Sequence, residues 1–109
     1  MKSRTTTEFR KLFADLPKQV QEQTRAAYRQ SKEDPSYPSL RFKKVHPELP
    51  IYSARISKRY RAVGQLDGDT VIWFWVGSHA EYERLLEQLW QHGITTPMRT
   101  DRREVANGG

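Results

Sequence analysis

Arg55 and Arg61 flank the dipeptide Lys58-Arg59 in the stretch "IYSARISKRYRAVGQL". In both halves of that stretch apolar residues alternate, as in strands. If Tyr52, Ala54 and Ile56 face a core, and Tyr60, Ala62 and Leu66 do the same, both arginines point from the opposite, open face of adjoining strands. Strands lie ~4.8 Å apart, so the pair can grip one phosphate from two sides. The planar guanidinium suits this because it bonds phosphate oxygens two at a time. The alternative is that each arginine pairs with a carboxylate. Downstream, "GSHAEYERLL" places His79 and Tyr82 three residues apart, on one helix face. An imidazole there can take or give a proton near neutral pH. The spacing alone fits better with a histidine of the capping turn and a core tyrosine.

Other chemistries find little support. The chain has no cysteine, hence no thiol nucleophile and no disulfide. His46, His79 and His92 are scattered without metal-ligand spacing, so neither metal nor cofactor is expected. No serine sits in a nucleophile elbow, and no glycine-rich loop could cradle a nucleotide.

The charge is local. Net charge is +6; residues 40–61 hold Arg41, Lys43, Lys44, Arg55, Lys58, Arg59 and Arg61 against Glu48 alone, and the remaining residues balance. A confined basic patch points to a polyanionic partner: nucleic acid, an acidic protein segment or, less readily, a membrane surface. A lysine-decorated, solvated strand edge is the plainer alternative. The N-terminal "MKSRTTTEFRK" lacks the apolar run of a signal peptide, and no window approaches the ~18 apolar residues of a membrane span. A cytoplasmic setting is the expectation.

Certain elements must position these residues. Thr5-Thr6-Thr7-Glu8 has capping-box spacing and precedes an apolar stripe of Phe9, Leu12, Phe13 and Leu16. A second helix is predicted from about Pro17 to Lys32, with Val20, Thr24, Ala27, Tyr28 and Ser31 inward, closed by "EDPSYP". A weak edge strand over residues 40–45 leads through the loop "HPELP" to the two arginine strands. Asp67-Gly68 signals a hairpin turn whose register is open: Leu66 pairs with Asp69 or with Thr70, and this decides whether Trp73 and Trp75, or Phe74 and Val76, face the helices. "TVIWFWVG" is apolar on both faces, which predicts a central strand. A last helix carries Tyr82, Leu85, Leu86, Leu89 and Trp90 as its apolar stripe and stops at Gly93; residues 95–109 read as a flexible tail behind a single domain of residues 1–94.

Taken together, "LPKQVQEQTRAAYRQSKEDPSYPSLRFKKV", the "YSARI" and "YRA" strands, the Asp-Gly hairpin and His79-x-x-Tyr82 resemble the RelE/ParE superfamily of toxins from type II toxin–antitoxin systems, over roughly residues 6–90. The resemblance implies an α+β fold: an N-terminal helical hairpin packed on a small twisted antiparallel sheet, with a C-terminal helix. For many members it implies a ribosome-dependent, metal-independent mRNA endoribonuclease. There a base deprotonates the ribose 2′-hydroxyl, which attacks the adjacent phosphate, and an acid protonates the leaving 5′-oxygen. Arg55 and Arg61 match phosphate-binding arginines. His79 and Tyr82 fall where several active members place C-terminal catalytic or base-orienting groups; on that footing His79 would be a proton-transfer group and Tyr82 would orient or stack a base. Lys43 and Lys44, with Arg41, Lys58 and Arg59, would contact RNA. No carboxylate is placed as the base: Glu48 sits in a loop, and Glu81 and Glu83 are expected to point elsewhere on the helix. The implied partners are a cognate antitoxin, the ribosome and mRNA; the ParE branch implies DNA gyrase instead, without catalysis, and an inert basic binding protein of the same fold is a third possibility.

Overall fold

Phe9, Leu12, Phe13 and Leu16 form the expected stripe, on and just beyond α1 (Thr7–Ala14), in the computed structural model, which describes residues 1–91. The helix start differs from the expected capping box by one residue. Thr6 is the N-cap, its hydroxyl accepting from the Phe9 amide at 3.1 Å. Thr5 is committed elsewhere, because it ends a strand, β1 (Lys2–Thr5). Pro17 caps α2 (Lys18–Glu33), which turns Val20, Thr24, Ala27 and Ser31 inward as its spacing predicts.

Beyond a single 3₁₀ turn at Pro38–Leu40, the strands are β2 (Lys43–Lys44), β3 (Ile51–Ser57), β4 (Tyr60–Asp67) and β5 (Thr70–Ser78); α3 (His79–Gln91) closes the described chain. The sheet order is β1-β5-β4-β3-β2. β2 to β5 form the antiparallel meander, but β1 runs parallel to β5, so the sheet is mixed. "KSRT" carries no apolar signal. It becomes a strand because β5 offers it a ladder and because the Tyr28 hydroxyl on α2 donates to the Ser3 carbonyl at 2.9 Å. The predicted edge strand shrinks to two residues: Leu40 is spent in the 3₁₀ turn, and Arg41 takes a left-handed backbone (φ 46°). In the following loop the buried His46 accepts at Nδ1 from the amides of Glu48 (3.1 Å) and Leu49 (2.9 Å), which shapes the return into β3.

The hairpin register is neither of the two expected. Asp67 pairs with Thr70 and Leu66 with Val71, leaving Gly68-Asp69 as the two-residue loop; Gly68 supplies the positive φ (64°). A bulge then changes the facing of β5. Gly64 pairs with Trp73 and Val63 with Trp75, so Phe74 is the extra residue. Trp73 and Val76 pack with Phe9, Ala54, Ala62 and Val71 beneath α1 and α2. Phe74 and Trp75 pack with Ile51, Val63, Tyr82 and Leu89 beneath α3. Both faces of β5 are therefore covered, as its apolar sequence requires.

Burying apolar surface on both faces at ~25 cal/mol per Å² is the main stabilising contribution to a domain of this kind. Trp90 departs from the expected stripe. It lies 59% exposed on the outside of α3, while Leu89 takes the buried position. The helix stop at Gly93 and the tail from Thr95 fall outside the described residues. Among the described residues, no helix is long and apolar enough to cross a membrane, and no group of side chains could hold a metal ion.

The bulge depends on Gly64 having no side chain. A Cβ there would come within 2.8 Å of Val71 Cγ1 and 2.9 Å of Trp73 Cε3. Gly64→Ala is expected to destabilise the domain by about 1–3 kcal/mol, read as a lowered urea midpoint at unchanged slope.

Candidate active site

Arg55 and Arg61 are direct cross-strand partners in the β3–β4 ladder. Directly opposed residues project to the same side, with Cβ atoms ~5 Å apart. Their face is the one that carries Ile51 and Val63, which α3 covers in part. The surface expected to be open is thus half roofed: α3 shields the Ile51–Val63–Phe74 region, and the arginines stay partly exposed beyond it. Among the described residues neither arginine lies within 4.0 Å of a carboxylate, since the ion pairs found are Lys2–Asp69 and His79–Glu83.

The two guanidiniums are held differently. Arg61 Nη1 donates to the carbonyls of Ser57 (2.7 Å) and Tyr60 (2.9 Å), which anchors it to the β3–β4 turn. Arg55 makes no hydrogen bond among the described residues. Burial lowers the pKa of Arg61 from its ordinary value, and the neighbouring charge of Arg55 lowers it further; Tyr82 acts in the opposite sense, and Arg41 adds a smaller lowering. Two neighbouring cations therefore act on Arg61, and among the described residues no carboxylate lies within 4.0 Å of it.

His79 opens α3 immediately after β5, and its position is strongly determined. Its amide donates to the Arg59 carbonyl at 2.7 Å. Ser78 and Glu81 clamp the helix start on either side of it. The Ser78 amide and hydroxyl both donate to Glu81 Oε1 at 3.0 Å, and the Glu81 amide donates back to Ser78 Oγ at 3.3 Å. This is a capping box, readable in Ser78-x-x-Glu81. The two bonds from Ser78 hold the Glu81 carboxyl below its ordinary value of 4.5. Its contribution to stability is thus complete above that value and is lost as pH falls through the lowered one.

Glu83, expected to point away, lies one turn from His79, with Oε2 3.7 Å from Nδ1. Tyr82 is 6% exposed, and its ring packs against Trp75 (6.5 Å) and His79 (5.7 Å). That burial leaves it no free ring face for a stacked base.

The remaining candidates border the same end of the sheet. Lys58 and Arg59 form the exposed β3–β4 turn. Exposed Arg41 reaches Arg61 with its charge. Lys43 pairs with Ser53, two residues from Arg55 on the same face. Lys44 is its neighbour, and with Lys43 and Val45 it lines one wall of a groove of about 460 Å³ whose other wall is α3.

A family model described as a ParE-like toxin domain matches residues 18–84. The chain belongs to the ParE-like toxin family. No curated protein matches it. Solved structures of the same fold include the toxin in the RelB-RelE antitoxin-toxin complex from Methanococcus jannaschii (18% identity, TM-score 0.63, covering 75% of this chain and 96% of that one). They also include a YoeB/ParE toxin from Agrobacterium tumefaciens (16% identity, TM-score 0.60, 72% and 99%). A third is YafQ from E. coli (9% identity, TM-score 0.61, 73% and 94%). At these identities the likeness is one of fold, and the matched span takes in β3 to β5 and the start of α3, where the arginines and His79 lie.

Arg41 combines charge with a left-handed backbone that costs a non-glycine residue about 1–2 kcal/mol. Arg41→Gly should raise the unfolding free energy by a fraction of that amount, whereas Arg41→Ala should not, measured by urea titration of both variants.

Proposed function

We propose that this ParE-like toxin is a metal-independent endoribonuclease that cuts mRNA on the ribosome. The observation that supports it is the direct opposition of Arg55 and Arg61 with no carboxylate beside either among the described residues. Like charges directly opposed across a ladder destabilise a sheet. An anion bound between them would relieve that repulsion, and a phosphate fits the forked donors. As the 2′-hydroxyl attacks, negative charge grows on the non-bridging oxygens. Arg61, anchored through Nη1, meets that charge without having to reorganise, and Arg55 closes on it from the neighbouring strand.

His79 stands at the rim of the pair, its Nδ1 turned to Glu83. The carboxylate favours a proton on Nδ1 and leaves Nε2 for proton transfer with the 2′-oxygen or the leaving 5′-oxygen. Tyr82 supports the imidazole through its ring, 5.7 Å from that of His79. Exposed Lys43, Lys44, Lys58, Arg59 and Arg41 extend the positive field along the path of a polynucleotide.

The partner that restrains such a toxin is a cognate antitoxin. Three of the structural neighbours are toxin–antitoxin complexes, and an acidic segment complements this basic face. The ParE-like family match supports a second reading, in which the chain binds DNA gyrase and cuts nothing.

Primer extension on ribosome-bound message, in excess EDTA, separates the two. Wild-type protein should produce discrete cuts, and Arg55→Ala and His79→Ala should each lower the cutting rate by about 10²-fold or more. Arg55→Ala should at the same time be more stable than wild type by about 0.2–1 kcal/mol, because the opposed charge is gone. Cutting that survives both changes removes the assignment. Inhibited supercoiling that ignores His79 selects the gyrase reading.

A further inference from the structure

Trp90 is the one large aromatic of α3 left in solvent, 59% exposed, and it is not loose. Its indole Nε1 donates to the Val45 carbonyl at 3.1 Å, across the groove between β2 and α3. The ring of the buried His46 lies 6.4 Å from it. A fixed indole with a solvent-facing surface is a platform. One wall of the groove holds Lys43 and Lys44; the other holds Tyr82, Leu86 and Trp90. Lys43 pairs with Ser53, on the face of β3 that also carries Arg55, so the groove opens beside the arginine pair.

The spacing suits a strand of nucleic acid. Lys43 and Arg55 share one face, with Lys43 opposite Ser53 and Arg55 two residues farther along β3. Such diagonal neighbours on paired strands are about 7–8 Å apart, so successive phosphates of an extended chain can meet successive cations. Glu87, the only acid among the described residues that line the groove, stands on the α3 wall. It turns phosphates toward the lysines and leaves the α3 side to a base. Buried Tyr82 cannot stack a base, whereas Trp90 can.

We propose that Trp90 is the base-stacking residue of this protein, and that the β2–α3 groove carries single-stranded RNA away from the Arg55–Arg61 pair, with Lys43 on its phosphates. The proposal rests on the nuclease reading and adds to it the subsite for a flanking nucleotide. Continuity with the arginine pair and the two lysines favour RNA over a protein segment as occupant.

The test uses a short, labelled 2′-O-methyl oligoribonucleotide, which has no free 2′-hydroxyl and is not cut, bound to the full chain at low salt. Binding should quench indole emission in the wild type and lose most of that quenching in Trp90→Leu, with affinity about tenfold weaker. Trp90→Phe, which keeps a ring, should lose less than about threefold. Replacing Lys43 by alanine should flatten the logarithmic salt slope by ~0.7, the value of one phosphate contact on a single strand. Equal affinity and equal quenching in wild type and Trp90→Leu overturn the proposal, and if Arg55→Ala still abolishes message cutting, the nuclease reading survives that failure. The reverse pattern, the Trp90 contrast without any cutting by wild type, keeps the groove and removes the nuclease. If Trp90→Leu loses antitoxin binding at unchanged oligonucleotide affinity, the groove belongs to a protein and the proposal falls.

Discussion

Two guanidinium groups opposed across one antiparallel ladder, without a carboxylate beside either among the described residues, constrain everything around them. The register of β3 on β4 must put residue 55 against residue 61, and the connection between them must be tight enough to hold it. The Lys58-Arg59 turn does so, and the flanking carbonyls of Ser57 and Tyr60 accept from Arg61 Nη1, which would otherwise face only another cation. The sheet tolerates this repulsion because it is built mainly elsewhere. β4 and β5 pair over eight positions, and apolar clusters close both of their faces. Local electrostatic strain at the rim is thus set against hydrophobic burial at the centre, as is common at binding sites.

The bulge at Phe74 links that centre to the site. It sends Trp73 and Val76 to the helical hairpin and Phe74 and Trp75 to α3, so each layer receives aromatic surface from the same strand. Without it, strict alternation would give one face both tryptophans and the other Phe74 with Val76. α3 is docked through Tyr82 and Leu89 onto Ile51, Val63 and Phe74, and docking it there brings His79 to the rim and leaves Trp90 outside. The proton-transfer candidate and the proposed stacking residue are therefore set by one packing event.

Much of the candidate site was legible. Alternation in "YSARI" and "YRA" put both arginines on the face opposite Ala54 and Ala62, and the structure has them there. The inward residues of α2 followed from their helical spacing. Other features were not legible, each for a reason. β1 has no apolar residue, and it exists because β5 offers an edge. The Asp-Gly signal marks a turn, yet the loop is Gly68-Asp69, because the register answers to the packing of Leu66 and Val71 as well as to the turn. The openness of the arginine face was overestimated, since periodicity says which residues share a face and not what lies upon it. Trp90 read as core because it neighbours Leu89 on a helix whose exact rotation the pattern leaves free.

What the sequence alone determined is the set of local facts: where helices start and stop, which residues alternate, where the positive charge is concentrated, and the kinship carried by residues 18–84. These depend on short-range sterics and on composition, which are properties of the chain itself. Tertiary structure decided the pairing of β1 with β5, the change of facing at Phe74, the partial roof over Arg55 and Arg61, and the exposure of Trp90. Each of these depends on contacts between residues distant in the chain, whose free energy comes from burial shared by several elements, and no single segment encodes it.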